Sequence, residues 1–146
     1  MKITDLKPTI VWKFFHQVTQ VPRPSKKEGK MIEFLESFAK EYKIAIKKDE
    51  AGNLLMSKPA TPGMEDRPVV VLQSHMDMVC EKNNGTKHDF DNDPIETIVD
   101  GEWLRANGTT LGADNGIGVA AELALLASDD IQHLSLIHIS EPTRLR

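Results

Sequence analysis

The chain has 146 residues, enough for one domain with a hydrophobic core, and its apolar (40%) and charged (27%) fractions are those of an ordinary globular protein. A net charge of −4 argues against a nucleic-acid-binding function, which needs a basic surface. Cys80 is the single cysteine, so no disulfide can form within the chain, and a lone thiol favours a reducing compartment. The N-terminus lacks a signal-peptide pattern, and no apolar run approaches the ~20 residues that span a bilayer, so we expect a cytoplasmic protein.

Two helices are predicted in the first part of the chain. The first begins near Pro8, because apolar residues then recur at helical spacing, and the two prolines of "VPRPS" (21–25) end it. A second helix is predicted from Lys26 to Tyr42, with one apolar and one charged face. Ser25 and Glu28 have the spacing of a capping box, which would open this helix.

Strands and a last helix are predicted in the remainder. Residues 43–59 alternate apolar and polar side chains around turn residues, which predicts a hairpin. The apolar run "VVVLQS" (69–74) is typical of a strand covered on both faces. Two short strands are expected within 95–105, a glycine-rich loop at 107–116, and a mostly buried helix at 117–128. Together these elements predict an α/β fold, a mixed sheet flanked by helices.

His75 and Asp77 follow this apolar run, in "VVVLQSHMDMV" (69–79). Side chains at i and i+2 of a strand point to the same side, and functional groups of open α/β sheets gather at the carboxyl ends of strands. The pair therefore suits a metal-bound imidazole that a nearby carboxylate orients. Taken alone, the H-x-D pattern is also typical of a surface ion pair at a strand end.

Asp114 lies in "TLGADNGIGVA" (110–120), where a glycine-rich loop feeds the predicted buried helix. A carboxylate there can bridge two cations, which together lower the pKa of water and polarise a carbonyl. The alternative is that Asp114 or Asn115 caps the helix. A phosphate-binding loop is a poor interpretation, because the expected Lys and Ser/Thr are absent and Asp114 would repel the anion.

Several segments resemble one enzyme family. "VPRPS", "SHMDMVCEKN", "HDFDNDPI" and "DGEWLRANGTTLGADNGIGVA" are similar to those of the cytosolic aminoacyl-histidine dipeptidases, over about Leu6 to His133. These co-catalytic zinc metallopeptidases cleave Xaa-His dipeptides, including β-alanyl-histidine. The resemblance implies the N-terminal part of a zinc-peptidase-like catalytic domain. It also implies that His75 ligates one metal, that Asp77 is the active-site carboxylate holding His75, and that Asp114 bridges two Zn²⁺ ions, with Mn²⁺ or Co²⁺ as alternatives.

Parts of the family's site are not found in this sequence. The catalytic Glu-Glu pair, a further acidic ligand, a distant His and the smaller second domain are all expected after Asp114. We therefore interpret residues 1–133 as a truncated catalytic domain, inactive by itself. Residues 134–146, "LSLIHISEPTRLR", resemble the translation of a sequencing-adapter read-through and are predicted to be non-native. The alternative is a genuine C-terminal strand and extension.

The expected function of the parent protein is metal-dependent hydrolysis of Xaa-His dipeptides. One alternative is another co-catalytic zinc hydrolase, such as an aminoacylase, deacetylase or tripeptidase. The other is a non-catalytic binding module on the same scaffold, which the reading frame of the genomic DNA beyond His133 would distinguish. The expected partner is a dipeptide substrate, and no binding to nucleic acid or to a membrane is expected. A homodimer is one candidate assembly of the parent protein.

Overall fold

Two α-helices, five strands, a third α-helix and a last strand follow one another along residues 1–141, the part of the chain that the computed structural model describes. In chain order the elements are a short 3₁₀-helix Ile3–Asp5, α1 (Thr9–Gln20), α2 (Gly29–Glu41), β1 (Ala45–Lys48), β2 (Leu54–Lys58), β3 (Val70–His75), β4 (Thr97–Asp100), β5 (Trp103–Ala106), α3 (Ala113–Ala127) and β6 (Leu136–Glu141). Within these residues no helix has both the length and the apolar character needed to cross a membrane.

The main sheet has four strands in the order β1-β2-β6-β3. Strands β1 and β2 form the predicted hairpin, and β2 also pairs antiparallel with β6. Strand β6 then pairs parallel with β3, with His75 opposite Glu141. Strands β4 and β5 form a separate antiparallel pair. The predicted α/β class with a mixed sheet is confirmed.

Residues 136–141 of the suspected tail thus form an inner strand of the sheet. Leu136, His138 and Ser140 are buried, and the intervening side chains are partly exposed. The remaining tail residues, 142–146, lie outside the described residues. The non-native origin of 134–146 concerns the gene and stays a prediction.

One hydrophobic core joins the helices to the inner face of the sheet. Its buried side chains include Phe14, Phe15 and Val18 from α1, Met31, Leu35 and Phe38 from α2, Leu54 and Met56 from β2, and Val119, Leu123 and Leu126 from α3. Burial of each such side chain contributes about 1.5–3 kcal/mol. This core fixes α3, and with it Asp114, against the strand that ends at His75.

The prediction that β3 is covered on both faces is wrong. Val69 and Val71 are 52% and 55% exposed, and Leu55 of β2 is 36% exposed. Leu54 and Met56, on either side of Leu55, are fully buried, so the helices pack on one face of the sheet and leave the other apolar and bare.

The predicted capping box at Ser25 is also wrong. Helix α2 begins later, with Glu28 as its N-cap residue and no side-chain cap hydrogen bond. Lys26 adopts a left-handed conformation (φ 72°), and its N–H donates to the Glu28 carboxylate at 2.6 Å. The turn therefore uses Glu28 before the helix starts and leaves the Ser25 hydroxyl free to bond elsewhere.

We predict that the bare sheet face drives self-association of this 146-residue chain. Replacing both Val69 and Val71 with Thr removes exposed apolar surface and keeps β-branched side chains, so β-propensity is retained. Static light scattering should show the monomer persisting to higher protein concentration.

Val79→Thr is the matched control, because Val79 is 65% exposed but lies outside the sheet, so its replacement should leave self-association unchanged. If the double variant associates as strongly as the parent chain, another surface is responsible.

Candidate functional site

The site begins where β3 ends, at His75. The imidazole Nδ1 lies 3.1 Å from Oδ1 of Asp77 and 3.2 Å from the Asp77 main-chain oxygen. Asp77 is 1% exposed, so its carboxylate contacts the ring from inside the protein. The sequence prediction that Asp77 lies beside His75 agrees with this geometry.

Asp114 is presented by an irregular first turn of α3. Gly112 precedes the helix in a left-handed conformation (φ 69°), which glycine adopts without steric cost. Asp114 and Asn115 have non-helical backbone angles and are joined by a cis peptide bond. Gly112 precedes this turn without a side-chain cap hydrogen bond, and the regular helix follows Asn115, so capping of that helix by Asp114 or Asn115 stays a prediction.

The two halves of the site converge on the imidazole. Nε2 of His75 lies 3.1 Å from Oδ1 of Asp114, although the residues are 39 positions apart. The side chain of Asp114 is 95% exposed and that of His75 is 29% exposed. Each ring nitrogen of His75 therefore contacts a carboxylate, one buried and one open to solvent.

Ser25 was missed as a site residue by the sequence analysis. Its hydroxyl donates to Oδ2 of Asp77, so one carboxylate oxygen contacts Ser25 and the other contacts His75. The two residues are 52 positions apart, and only the resemblance of "VPRPS" to the dipeptidase family pointed to this segment.

Arg23 was missed as well, and it is 1% exposed. Its Nη2 donates to the Gly112 carbonyl at 2.8 Å, and its Nη1 lies 3.5 and 3.4 Å from the carbonyl oxygens of Met76 and Asp77. Burial lowers the pKa of Arg23 to about 10, against an opposing effect of the Asp77 charge, so the guanidinium remains protonated at neutral pH. A cation thus lies between the two loops of the site.

The acidic segment "HDFDND" (88–93) is a surface loop held by hydrogen bonds between its own residues. Asp89 accepts hydrogen bonds from the Asp91 N–H and the Asn92 amide, and these bonds lower its pKa. Asp91 also pairs with Lys27 at 2.6 Å. These carboxylates are thus engaged by protein donors.

The donors at the site fit part of a zinc site. Within residues 1–141, no three or more His, Cys, Asp or Glu side chains are grouped so that they could hold a metal. Imidazole nitrogen and carboxylate oxygen are nevertheless ordinary zinc ligands, and two ligands of one tetrahedral ion lie about 3.3 Å apart. The 3.1 Å between His75 and Asp114 is close to that value, and it also suits a hydrogen bond. The chain thus offers two candidate ligands where a closed site needs about four.

Comparison with known proteins relates this geometry to peptidases. No family model matches the chain. The cytosol non-specific dipeptidase of Escherichia coli (strain K12) is 48% identical over 132 residues, which are 90% of this chain and 27% of that protein. The aminoacylhistidine dipeptidase of Vibrio alginolyticus superposes with a TM-score of 0.96 at 45% identity, over 99% of this chain and 30% of that one. The chain therefore spans less than a third of the length of either relative.

A third protein shares the fold at lower similarity. It is a Bacillus subtilis protein described as a dinuclear metal binding peptidase from the M20 family, with a TM-score of 0.54 at 14% identity over 90% of this chain. The fold is thus that of the N-terminal part of a peptidase catalytic domain. Within that class, the chain matches the N-terminal part of the dipeptidases, and the resemblance to the aminoacyl-histidine dipeptidases is confirmed.

We predict that Ser25→Ala destabilises the chain by about 1.5–3 kcal/mol, because it removes a hydrogen bond to a buried carboxylate. Urea unfolding measures this free energy. Ser37→Ala is the matched control: the Ser37 hydroxyl donates to a helix carbonyl on the surface, and its loss should change stability by no more than about 0.5 kcal/mol. Equal effects of the two substitutions would show that the Ser25 hydroxyl does not support Asp77.

Proposed function

We propose that the chain is the N-terminal part of the catalytic domain of a metal-dependent cytoplasmic dipeptidase that hydrolyses Xaa-His dipeptides, including β-alanyl-histidine. The observation that carries the proposal is the 3.1 Å approach of His75 to Asp114, in a chain 45–48% identical to two dipeptidases. The relatives extend well beyond this chain, so the activity is that of a longer protein.

Two residues of the chain would hold the metal. His75 would ligate one ion through Nε2, and Asp114 would bridge that ion to a second one through its exposed carboxylate. Zinc suits these ligands, and manganese or cobalt can replace it. When bound, such a metal pair polarises the scissile carbonyl and lowers the pKa of water.

Asp77 would act on the imidazole and not on the metal. With a metal bound, its buried carboxylate would accept the Nδ1–H of His75, and the lone pair of Nε2 would then be available to the metal beside Asp114. Because Ser25 bonds the second carboxylate oxygen, Asp77 cannot rotate away without breaking a hydrogen bond. This pairing would fix the orientation of the ring and favour the tautomer that carries its proton on Nδ1.

The general base is assigned to a glutamate beyond this chain. Glu122 of α3 is 6% exposed, accepts a hydrogen bond from Ser74 at 2.6 Å, and lies 2.5 Å from Nδ1 of His138. Because this carboxylate is buried in the core, it is not accessible to a substrate. The residues of this chain would therefore bind the metal and orient its ligands, and proton transfer would require the remainder of the protein.

A second candidate function is a non-catalytic binding module. The observation that favours it is β6, which completes the main sheet with residues from inside this chain. A natural stop codon after Arg146 in the genomic DNA would support this candidate. A reading frame that continues past His133 into a Glu-Glu segment would support the dipeptidase.

The dipeptidase proposal is tested with the protein encoded by the complete gene. We expect kcat/KM for β-alanyl-histidine and Leu-His to exceed that for Leu-Leu, tripeptides and N-acetyl amino acids by at least about ten-fold. A site that hydrogen-bonds the imidazole of the substrate leaves its own polar groups unpaired when a substrate without an imidazole binds. Equal rates for all dipeptides would indicate a non-specific dipeptidase, and preferred cleavage of N-acyl substrates an aminoacylase or deacetylase.

Two histidine variants complete this test. His75→Ala should reduce kcat/KM by at least about 10³-fold, because it removes a metal ligand. His16→Ala, on α1, is the control and should retain activity. Full activity of the His75 variant would remove this residue from the site.

A further inference from the structure

We propose that Arg23 is a positioning residue of the site. Its guanidinium ties the loop that carries Asp77 to the loop that carries Asp114, and so sets the distance between those carboxylates and the imidazole of His75. This inference rests on the proposed function, because the arrangement it maintains is the metal-binding one.

The contacts of the guanidinium divide between the two loops. Nη2 donates to the Gly112 carbonyl, two residues before Asp114, at 2.8 Å. Nη1 faces the carbonyl oxygens of Met76 and Asp77 at 3.5 and 3.4 Å. A planar fork with several donors can reach two loops at once, which the single ammonium nitrogen of a lysine cannot do in the same geometry.

The backbone around Arg23 is itself held to the Asp77 loop. The Met78 N–H donates to the Arg23 carbonyl at 3.0 Å, and the Ser25 N–H donates to the Met78 carbonyl at 3.3 Å. The guanidinium therefore extends from a backbone already registered with one half of the site. Its hydrogen bond to the Gly112 carbonyl then fixes the loop that carries Asp114 relative to the loop that carries Asp77.

The glycines of the Asp114 loop leave room for this side chain. A Cβ atom on Gly112 would lie 2.6 Å from Nη2 of Arg23, and one on Gly116 would lie 2.7 Å from it. Gly112 also needs its positive φ, whereas Gly116 has no such requirement. Accommodation of the guanidinium is thus a physical reason for glycine at position 116.

The electrostatic cost of this arrangement argues against a purely stabilising role. Arg23 is 1% exposed, its hydrogen bonds go to main-chain carbonyls, and the nearby Asp77 charge offsets only part of the effect of burial, which still lowers its pKa to about 10. Buried charges lose much of their hydration energy, and well-packed apolar side chains of similar volume often stabilise a fold as well or better. What an apolar residue cannot supply is a bond from one loop to the other.

The test uses Arg23→Lys in the full-length zinc-loaded protein. We expect zinc affinity, measured by competition with a chelator, to fall roughly 10–100-fold, as for other groups that orient metal ligands. The visible absorption spectrum of the cobalt-substituted protein should shift, because the ligand geometry changes. The value of kcat should fall while KM stays within about two-fold, since substrate contacts remain.

Arg105→Lys is the matched control. Arg105 is an exposed arginine that pairs with Asp100 on β4, and its replacement should leave zinc affinity, spectrum and kcat unchanged. Gly116→Ala provides a second route, because its methyl group would displace the guanidinium. It should lower zinc affinity like Arg23→Lys, and the two effects should be less than additive in the double variant.

The outcomes separate this inference from the proposed function. A zinc-binding, active wild type with unchanged affinity, spectrum and kcat in Arg23→Lys would overturn the role of Arg23 alone. If Arg23→Lys does not fold, Gly116→Ala decides: unchanged zinc affinity and spectrum would overturn the inference. A wild-type protein that binds no divalent metal would overturn both the inference and the proposed function.

Discussion

The site depends on one contact, that between the imidazole of His75 and the carboxylate of Asp114. It requires the end of a strand to meet the start of a helix that lies 39 residues later. The hydrophobic core brings the two elements together, since α3 packs on the same face of the sheet as α1. The left-handed Gly112 and the irregular first turn of α3 then direct Asp114 toward the imidazole. Core packing therefore brings the two elements close together, and the local backbone geometry directs the Asp114 side chain toward His75.

Buried polar groups hold this contact in place from behind. Asp77 and Arg23 are both 1% exposed, and Ser25 links the segment around Arg23 to the Asp77 carboxylate. Unpaired, each of these groups would cost several kcal/mol, so their mutual bonds are a condition of folding as well as of geometry. The segment "VPRPS" (21–25) consequently ends a helix and supports the site at the same time.

The elements that the sequence could predict are those governed by local rules. Helical periodicity predicted α1 and α2, and turn residues predicted the β1–β2 hairpin and the β4–β5 pair, because each of these patterns lies within one short segment. The pairing of His75 with Asp77 followed from a two-residue spacing. The capping box failed because Lys26 enters the left-handed region, which residue spacing does not reveal.

Features that depend on distant contacts were not predictable in this way. Apolar composition alone does not tell which face of a strand is covered, and the exposure of Val71 depends on which elements pack against the sheet. No pattern within "VPRPS" marks Arg23 as buried, since its partners lie 53 to 89 positions away. The same holds for β6, whose pairing with β3 depends on the whole sheet.

The composition of β6 is unusual for an inner strand. Its inward side chains, Leu136, His138 and Ser140, include two polar residues at fully buried positions. The His138 ring lies against the Glu122 carboxylate, which also accepts the Ser74 hydroxyl. Inner strands normally present apolar side chains to the core, because buried polar groups are costly. β6 thus places a polar cluster where an inner strand ordinarily places apolar side chains, and the non-native origin of residues 134–146 stays a prediction.

The most direct test of the account is a crystal structure of the full-length protein grown with zinc, with anomalous diffraction data collected at the zinc absorption edge. The account predicts an anomalous peak about 2.0–2.2 Å from both Nε2 of His75 and a carboxylate oxygen of Asp114. An anomalous peak at another position, with His75 and Asp114 still joined by a direct hydrogen bond, would contradict the account.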